Sequence, residues 1–486
     1  MKWPTNNDLT DKQMECVNYP TNKNILVRGI AGSGKSLVIV KRAIKISRKE
    51  RKEGRKPRII IYTYVKSLVK FMDEVLREGG ENAEDIEVST LDSNIVSLYR
   101  KMTGQWKLNG LYRAHRKEMS QAIQEASVMN PDNRFLKEDM REFVTQEIAW
   151  MKQQGIDSQH DYEVSPRKGR GKVRIGQKDR QLIYNIYKNY YRILEENNFS
   201  DIDVICEEIY RRREQIPDEE KYDYVMIDEA QDLPLDKMLV AKALTRKAMT
   251  ISADFAQKIY QTGFTWKEVG INIRGQASKK LKGTFRNTQQ IAMLANSLSQ
   301  HNTELASFDE DDAYSAPEIP ERSGPKPVLT LEPSAAQEEN DVRTLVENLM
   351  EESPDATIAV LSRDYDYTKK FEEWFSGLDY QKIDKNGEYH ILEPGLKLVT
   401  YHSAKGLEFD VVILPMVNNG LFPYTKKNEG AEGEVMEDLM NNARNLLFVG
   451  ITRARRQVYI FAENGADGTP SPLINEMDKN YLDVRR

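Results

Sequence analysis

Short apolar runs along the chain alternate with longer segments in which apolar residues recur every three or four positions. The runs at residues 25–27, 59–65 and 224–227 are brief and rich in β-branched side chains, which is typical of strands buried in a parallel sheet. Polar residues follow each run, at the strand ends where open α/β sheets place their ligand contacts. The pattern predicts an α/β protein built on parallel sheets.

The pattern changes between residues 101 and 219. Long segments at 134–154 and 180–197 carry apolar residues at i, i+3 and i+4 spacing, which predicts a mostly helical insertion. We therefore predict that residues 101–219 are inserted between two parts of one α/β domain. Helically spaced tyrosines of the insertion are expected to fill its core: Tyr184, Tyr187, Tyr190 and Tyr191.

Composition narrows the class of protein. The 486 residues suffice for about three domains, and 39% hydrophobic with 30% charged residues is ordinary for a globular chain. A formal net charge of −5 requires any nucleic-acid surface to be local. Two unclustered cysteines argue against a zinc site or a disulfide scaffold. The chain has no signal-like start and no membrane-length apolar run, so we expect a cytoplasmic protein with no membrane partner.

The octapeptide GIAGSGKS at residues 29–36 lies between a predicted strand and a predicted helix. In that context it reads as a P-loop, whose backbone N–H groups and helix N-terminus hold the phosphates of ATP. The lysine would reach the β- and γ-phosphates, and the final serine would ligate Mg²⁺. The predicted nucleotide-binding residues here are Gly29, Gly32, Ser33, Gly34, Lys35 and Ser36.

A second motif, DEAQD at residues 228–232, follows the apolar run 224–227. Asp228 could hold Mg²⁺, and Glu229 could orient or deprotonate the attacking water. Gln231 and Asp232 extend this polar set. One predicted helix before the P-loop, Gln13 offers both a donor and an acceptor to an adenine edge.

Two further stretches suit contact with nucleic acid. Thr63 and Tyr64 lie at the end of the strand predicted at 59–65. Half of the residues in the segment 165–174 are basic, among them Arg167 and Arg170, as suits a phosphate backbone. A merely solvated basic loop is an equal alternative for this segment.

Six motifs occur in the order GIAGSGKS, DEAQD, SADFAQKIY, LKGTFRNT, VTYHSAKGLEF and LLFVGITRAR. This series resembles the superfamily 1 helicases of the UvrD/Rep/PcrA type, over residues 9–460. The resemblance implies two RecA-like domains with ATP bound between them, the first at 1–100 and 220–282 and the second at 283–486. It also implies a helical 1B-like insertion at 101–219 in the first domain, and single-stranded DNA crossing both domains. It also implies translocation from 3′ to 5′.

The resemblance also assigns roles to residues. Gln13 and Phe285 match the adenine contacts, and Glu408 matches the ribose contact. Arg286 and Arg453 match the two arginines at the γ-phosphate, and Gln257 matches the γ-phosphate sensor. The residues that match DNA-facing or base-stacking positions are Thr400, His402, Lys405, Tyr260 and Trp266.

Some features depart from the family. Val65 stands where an asparagine is usual, and Trp266 comes later than the usual tryptophan after Tyr260. The acidic, Pro-containing stretch around 301–326 reads as a linker, so the family's 2B domain is expected to be reduced or missing. Unwinding of duplex by the protein alone is therefore open.

We predict an ATP-dependent 3′ to 5′ single-stranded DNA translocase or helicase, working as a monomeric motor on single-stranded or partly duplex DNA. One alternative is a remodeller that strips proteins from nucleic acid. Another is an ATP-gated sensor of DNA ends that works with a partner such as a nuclease, in repair or anti-phage defence. A non-hydrolysing scaffold is disfavoured because the motif residues are intact. RNA remains open as the track.

Overall fold

The computed structural model describes residues 9–30, 32–63, 65–78, 84–106, 108–111, 115–128, 130–167, 173–253, 266, 268–271, 273, 275–281, 283, 286–302, 320–384, 389–425, 433–466 and 468–485. None of the helices in this part of the chain combines the length and the apolar character that a bilayer-spanning segment requires.

The first α/β domain contains six described strands in one parallel sheet, in the order β3-β2-β4-β5-β1-β6. Its inner strands are buried along nearly their whole length, which requires helices on both faces of the sheet. The strands are β1 (Ile25–Gly29), β2 (Ile59–Thr63), β3 (Ile86–Thr90), β4 (Tyr222–Ile227), β5 (Thr245–Ala253) and β6 (Ser278–Leu281), and the helices between them include α1 (Asp11–Asn18), α2 (Lys35–Lys52) and α3 (Lys66–Glu78).

Helices fill the chain between β3 and β4. In order they are α4 (Leu91–Thr103), α5 (Arg116–Ser127), α6 (Arg141–Gln153), α7 (Gln159–Val164), α8 (Gln177–Glu196) and α9 (Ile202–Arg211), and α10 (Leu235–Ala243) follows β4. Buried side chains at 119–194 form a core separate from both sheets. Helices α4 and α9 pack instead on the first sheet, through residues such as Ile95 and Ile205. The part with its own core is therefore narrower than the predicted 101–219.

The tyrosines of α8 lie in this separate helical core. Tyr184, Tyr187 and Tyr190 are buried in it, and Tyr191 packs against it partly buried. The rings of Tyr184 and Tyr187 stack with centroids 5.5 Å apart. This confirms the prediction that the helical spacing of these residues serves packing.

The second α/β domain contains seven described strands in one parallel sheet, in the order β13-β7-β12-β11-β8-β10-β9. Only residues 384–394 join β9 to β10, and 363–379 join β8 to β9. The elements are α11 (Gln289–Gln300), β7 (Val328–Glu332), α12 (Ala335–Glu352), β8 (Thr357–Ser362), α13 (Tyr365–Trp374), β9 (Tyr380–Ile383), β10 (Gly395–Thr400), β11 (Phe409–Leu414), α14 (Gly433–Thr452), β12 (Ala454–Glu463) and β13 (Asp483–Arg485). The predicted α/β class with two parallel sheets is confirmed.

The two domains meet where α3 packs on the segment that follows β10. Ser67 Oγ donates a hydrogen bond of 2.8 Å to the carbonyl of Ser403. Gly406 has φ +80°, and a Cβ there would lie 2.8 Å from a methyl carbon of Leu68. Only glycine accepts both the backbone angle and this approach without strain. The carboxyl-end segments of β2 and β10 are thereby brought together.

Arg42 on α2 fixes the helix that precedes the P-loop. Its buried guanidinium donates to the carbonyls of Cys16, Val17, Tyr19 and Pro20, at 2.6–3.3 Å. Cys16 and Val17 lie in the last turn of α1, where carbonyls lack partners further along the helix, and Tyr19 and Pro20 follow the helix. Arg42 Nε also donates to Thr250 Oγ1 on β5 at 3.0 Å. One side chain therefore ties α1 to the sheet.

We predict that Arg42→Met lowers the free energy of unfolding in urea by on the order of 3 kcal/mol, because several buried carbonyls lose their donor. Arg48→Met, on the exposed face of the same helix, is the matched control and is expected to change little. Equal losses in the two variants would contradict this role for Arg42.

Candidate nucleotide site between the domains

The P-loop leads from β1 into α2 through two glycines with positive φ, Gly32 at +72° and Gly34 at +82°. Gly34 is the N-cap of α2, and a side chain there would collide with the amide of Gln13. Lys35 Nζ donates to the carbonyls of Gly29 at 2.9 Å and Ile30 at 3.1 Å. The ammonium thus lies inside the loop, where a phosphate chain would meet it.

Gln13 binds the P-loop directly. Its Nε2 donates to the Ser33 carbonyl at 2.9 Å, and its Oε1 accepts from the Thr10 backbone N–H at 2.9 Å, which completes a capping box on α1. The amide is buried between helix and loop. The adenine contact stays a prediction; the structure adds a positioning role for the same amide.

Asp228 and Glu229 follow β4 and face the start of α2. Asp228 Oδ2 accepts from Ser36 Oγ at 2.6 Å, and Oδ1 accepts from Ser252 Oγ. Glu229 has left-handed backbone angles, φ 56° and ψ 42°, which an acidic residue adopts only at a cost. Its carboxylate accepts from Gln231 Nε2. This strained turn directs two adjacent carboxylates at the P-loop.

The surroundings shift the pKa values of these two acids in opposite directions. Burial and the neighbouring Glu229 raise the pKa of Asp228 above its usual value. Burial alone would also raise the pKa of Glu229, but the charges of Lys405 and Lys35 outweigh it and lower that pKa. Glu229 is therefore held in its charged form, as a proton acceptor must be.

The Ser36 hydroxyl and the Asp228 carboxylate fit a magnesium ion. They place two hard oxygen ligands 2.6 Å apart beside the P-loop, and Mg²⁺ commonly takes one or two protein oxygens, with phosphates and water completing its shell. Among the described residues no group of three or more His, Cys, Asp or Glu side chains forms a metal centre. A site that also uses substrate oxygens is consistent with both observations.

Arg453 brings a charge from the second domain to this cleft. It is the first residue after α14. Its buried guanidinium donates hydrogen bonds to the carbonyls of Val449 at 3.0 Å and Leu407 at 3.4 Å. Its charge also contributes to lowering the pKa of Glu229. Arg453 therefore adds positive charge to the surroundings of Glu229, which follows β4.

Arg286, Glu408 and Arg455 form a linked set in the second domain. Arg286 Nη2 lies 2.8 Å from Glu408 Oε1, and Arg455 donates to Glu408 Oε2 from Nε at 3.0 Å and Nη2 at 2.7 Å. Burial by itself would raise the pKa of Glu408, but the two guanidinium groups lower it to about 2. The predicted ribose contact of Glu408 stays a prediction, because the carboxylate is here shared by two arginines.

Asn287 anchors the segment that carries Arg286. Its Nδ2 donates to the carbonyls of Thr452 at 3.1 Å and Ala454 at 2.6 Å. Sequence reasoning missed both Asn287 and Arg455. The sequence feature that could have indicated them is their position next to motif residues. Asn287 follows Arg286, and Arg455 lies two residues after Arg453.

Two family models match this chain. The UvrD/REP helicase N-terminal domain covers residues 9–281, more than half of the chain, and the UvrD-like helicase C-terminal domain covers residues 378–465. The chain belongs to the UvrD-like helicase family. The first match spans the first α/β domain with its helical insertion, and the second lies within the second α/β domain.

Relatives of this UvrD-like chain include a probable DNA helicase II homolog of Mycoplasma genitalium, 36% identical over 94 residues, and the ATP-dependent DNA helicase PcrA of Bacillus subtilis, 36% identical over 83 residues. These matches cover 18% and 17% of this chain and only 13% and 10% of the relatives' lengths. The C-terminal domain of a possible DNA helicase from Lactobacillus plantarum aligns at 19% identity with a TM-score of 0.29, over 42% of this chain and 99% of that domain.

The structure corrects the prediction for Lys405. We expected it on the side of the chain that faces DNA, but its ammonium forms an ion pair with Asp232 of the other domain. The side chains of Lys405 and Asp232 are 2% and 0% exposed. Lys405 therefore belongs to the cleft between the domains.

Arg167 also has a role other than the predicted phosphate contact. Its Nε and Nη2 donate to the buried carboxylate of Glu147 at 2.7 and 2.9 Å, and its Nη1 donates to the Val173 carbonyl at 2.7 Å. Glu147 neutralises the charge that a phosphate would need. The basic loop thus begins with an arginine that stabilises the helical core.

Two other predicted nucleic-acid residues, Thr63 and Thr400, end the strands β2 and β10, which come together at the domain junction. Thr63 is buried and its hydroxyl donates to the Val65 carbonyl at 3.1 Å, while Thr400 Oγ1 accepts from the Ser403 N–H at 3.1 Å. Trp266 packs partly buried on the core of the first domain. The predicted residues outside the described part of the chain are Tyr64, Arg170, Gln257, Tyr260 and Phe285.

We predict that Lys405→Met lowers the free energy of unfolding in urea by about 3 kcal/mol, because a buried carboxylate loses its counter-charge. Adding Asp232→Asn should recover most of that loss, since the remaining pair is neutral. A double variant no more stable than Lys405→Met would show that the ion pair is not the source of the effect.

The lowered pKa of His402 leads us to predict that the free energy of unfolding depends on pH. Burial, with Arg363 and Lys405, lowers its pKa to about 4, and Asp364 opposes the shift. The unfolded chain, with a pKa near 6.5, binds a proton first as the pH falls, so the folded state loses stability between about pH 6.5 and 4.

We therefore expect the wild type to lose roughly 1–2 kcal/mol more unfolding free energy between pH 7.5 and 5.0 than His402→Gln. His301→Gln, at an exposed histidine, should behave as the wild type. An identical pH profile for His402→Gln and the wild type would refute the assignment.

Proposed function

We propose that this chain is an ATP-driven motor that hydrolyses Mg·ATP between its two α/β domains and moves 3′ to 5′ along single-stranded DNA. The observation that carries the proposal is the shared cleft. Lys35, Asp228 and Glu229 come from the first domain, and Lys405 and Arg453 of the second act on the charge of the same glutamate. A nucleotide on the P-loop would lie between them.

The chemistry assigns each residue a part. The P-loop backbone and Lys35 would bind the phosphate chain, while Ser36 and Asp228 would hold Mg²⁺, which supplies charge neutralisation at the phosphates. Glu229 would take a proton from the attacking water as its oxygen bonds to the γ-phosphorus and the bond to the ADP oxygen breaks. Arg286 and Arg453 would stabilise the charge of the transferring group, a role suited to a planar, permanent cation.

Movement would come from the coupling of cleft and domain junction. The segment 400–407 contacts α3 through Ser403 and Gly406 and contributes Lys405 to the cleft. A change in the nucleotide that alters the cleft therefore acts on the contact between the carboxyl ends of β2 and β10. The 3′ to 5′ direction is the one that the family resemblance implies.

A second candidate function rests on the short connections of the second domain. The connections are residues 384–394 between β9 and β10 and residues 363–379 between β8 and β9. They leave little chain for an accessory domain at these points. A compact motor of this kind suits a remodeller or an ATP-gated sensor of DNA ends that depends on a partner such as a nuclease. For such a protein, duplex ends or a partner would activate hydrolysis better than single strands.

We predict that single-stranded DNA stimulates ATP hydrolysis, measured by phosphate release, and that Lys35→Ala and Glu229→Gln each lower kcat by at least about 100-fold. Glu229→Gln should still bind ATP, since the amide keeps the shape of the side chain. Lys12→Ala, an exposed lysine on α1, is the control and should hydrolyse ATP like the wild type.

Hydrolysis that ignores single strands but responds to duplex ends would favour the sensor over the translocase. Absence of hydrolysis with every nucleic acid would overturn the motor proposal altogether.

A further inference from the structure

A β-bulge at the start of β12 sets the direction of two consecutive arginines. Phe409 on β11 pairs with Ala454, but Val411 pairs with Gln457, so Arg455 and Arg456 together oppose Asp410. A bulge of this kind adds one residue to a strand and re-aims its side chains, and bulges are frequent beside active sites. Arg455 and Arg456 thereby reach different acceptors.

Arg455 reaches Glu408, whereas Arg456 does not. Two nitrogens of Arg455 donate to Glu408 Oε2, at 3.0 and 2.7 Å, while Arg456 Nε lies 3.3 Å from Asp410 Oδ1. Arg455 and Glu408 are 23% and 28% exposed, and Arg456 is 65% exposed. Arg455 is thus largely shielded from solvent, whereas its neighbour Arg456 is exposed.

The other oxygen of Glu408 holds Arg286. Arg286 Nη2 lies 2.8 Å from Glu408 Oε1, and Nη1 donates to the Thr452 carbonyl at 3.4 Å. Arg286 Nε is buried and has no acceptor among the described residues. A buried donor without a partner is costly, so this guanidinium is not fully satisfied in the present arrangement.

We propose that Arg455 is a positioning residue: it keeps Glu408 neutralised, so that Arg286 can move from the carboxylate to the γ-phosphate of ATP. This inference rests on the proposed function. Glu408 would be a temporary counter-ion for Arg286, and Arg455 would be the permanent counter-ion of Glu408.

The physical reason is competition between two anions for one guanidinium. With Arg455 present, the departure of Arg286 leaves Glu408 with a forked cation on its second oxygen, a strong charge-assisted contact. Without Arg455, the partly shielded carboxylate would lose its nearest counter-charge when Arg286 leaves, and it would hold Arg286 more tightly. Arg286 would then reach the transition state less often.

The test compares Arg455→Ala with Arg456→Ala, the neighbour in the same bulge. We expect Arg455→Ala to lower kcat of ATP hydrolysis at least about tenfold while the affinity for fluorescent (mant) ADP, which lacks the γ-phosphate, stays unchanged. Arg456→Ala should stay within about twofold of the wild type. Arg455→Lys, which keeps the charge but loses the fork, should lie between.

A double-variant cycle separates this mechanism from a general structural role. In a Glu408→Gln background, where no carboxylate competes for Arg286, Arg455→Ala should change kcat less than about twofold. Circular dichroism melts establish that each variant is folded. An equal loss in both backgrounds, an unchanged kcat in Arg455→Ala, or a loss of ADP affinity would overturn the proposal.

Failure of the proposed function is a different outcome, because the wild type itself would then not hydrolyse ATP. In that case, nucleotide binding still tests whether Arg455 positions Arg286 for the γ-phosphate. Arg455→Ala should weaken binding of mant-ADP with beryllium fluoride, which imitates the γ-phosphate, and leave binding of mant-ADP alone intact. Equal binding by variant and wild type would overturn it.

Discussion

Charge compensation among the buried side chains of the cleft is the constraint on which this structure depends. Buried carboxylates are tolerated only when cations or hydrogen-bond donors face them. Asp228, Glu229 and Asp232 bring three such groups to the end of one strand. The first domain supplies Lys35, and the second domain supplies Lys405 and Arg453. The two domains are therefore joined by electrostatics at the same place where a nucleotide would add further negative charge.

That constraint explains several local features together. The strained backbone of Glu229 places a carboxylate that accepts a hydrogen bond from Gln231 and whose pKa is lowered by cations of both domains, Lys405 and Lys35. Arg42 and Gln13 hold α1 against the P-loop, so the loop that carries Lys35 has a rigid support. In the second domain, Glu408 holds Arg286 near the junction. A triphosphate entering the cleft would redistribute these ion pairs, and the contact of α3 with the segment after β10 would respond.

Local motifs could be predicted from the sequence, and long-range charge partners could not. The P-loop and the DEAQD strand end are contiguous, and their backbone chemistry determines their geometry. Lys405 pairs with a residue 173 positions away, and Arg167 is neutralised by Glu147 on a preceding helix, so no pattern in the basic residues revealed either partner. Arg42 is one of three arginines in the amphipathic helix α2 and belongs to no motif. The two consecutive arginines at 455 and 456 interrupt strand alternation, which was the available signal for the bulge.

The most direct test of the account is the distance between the two domains in different nucleotide states. Double electron–electron resonance would measure it between spin labels attached at Lys12→Cys and Glu373→Cys. Both positions are exposed, one in each domain, and the native Cys16 and Cys206 are buried. The account predicts that ADP with beryllium fluoride shortens and narrows the distance distribution relative to ADP alone, and that Lys35→Ala abolishes this change. Identical distributions with both nucleotides would contradict a cleft completed by the second domain.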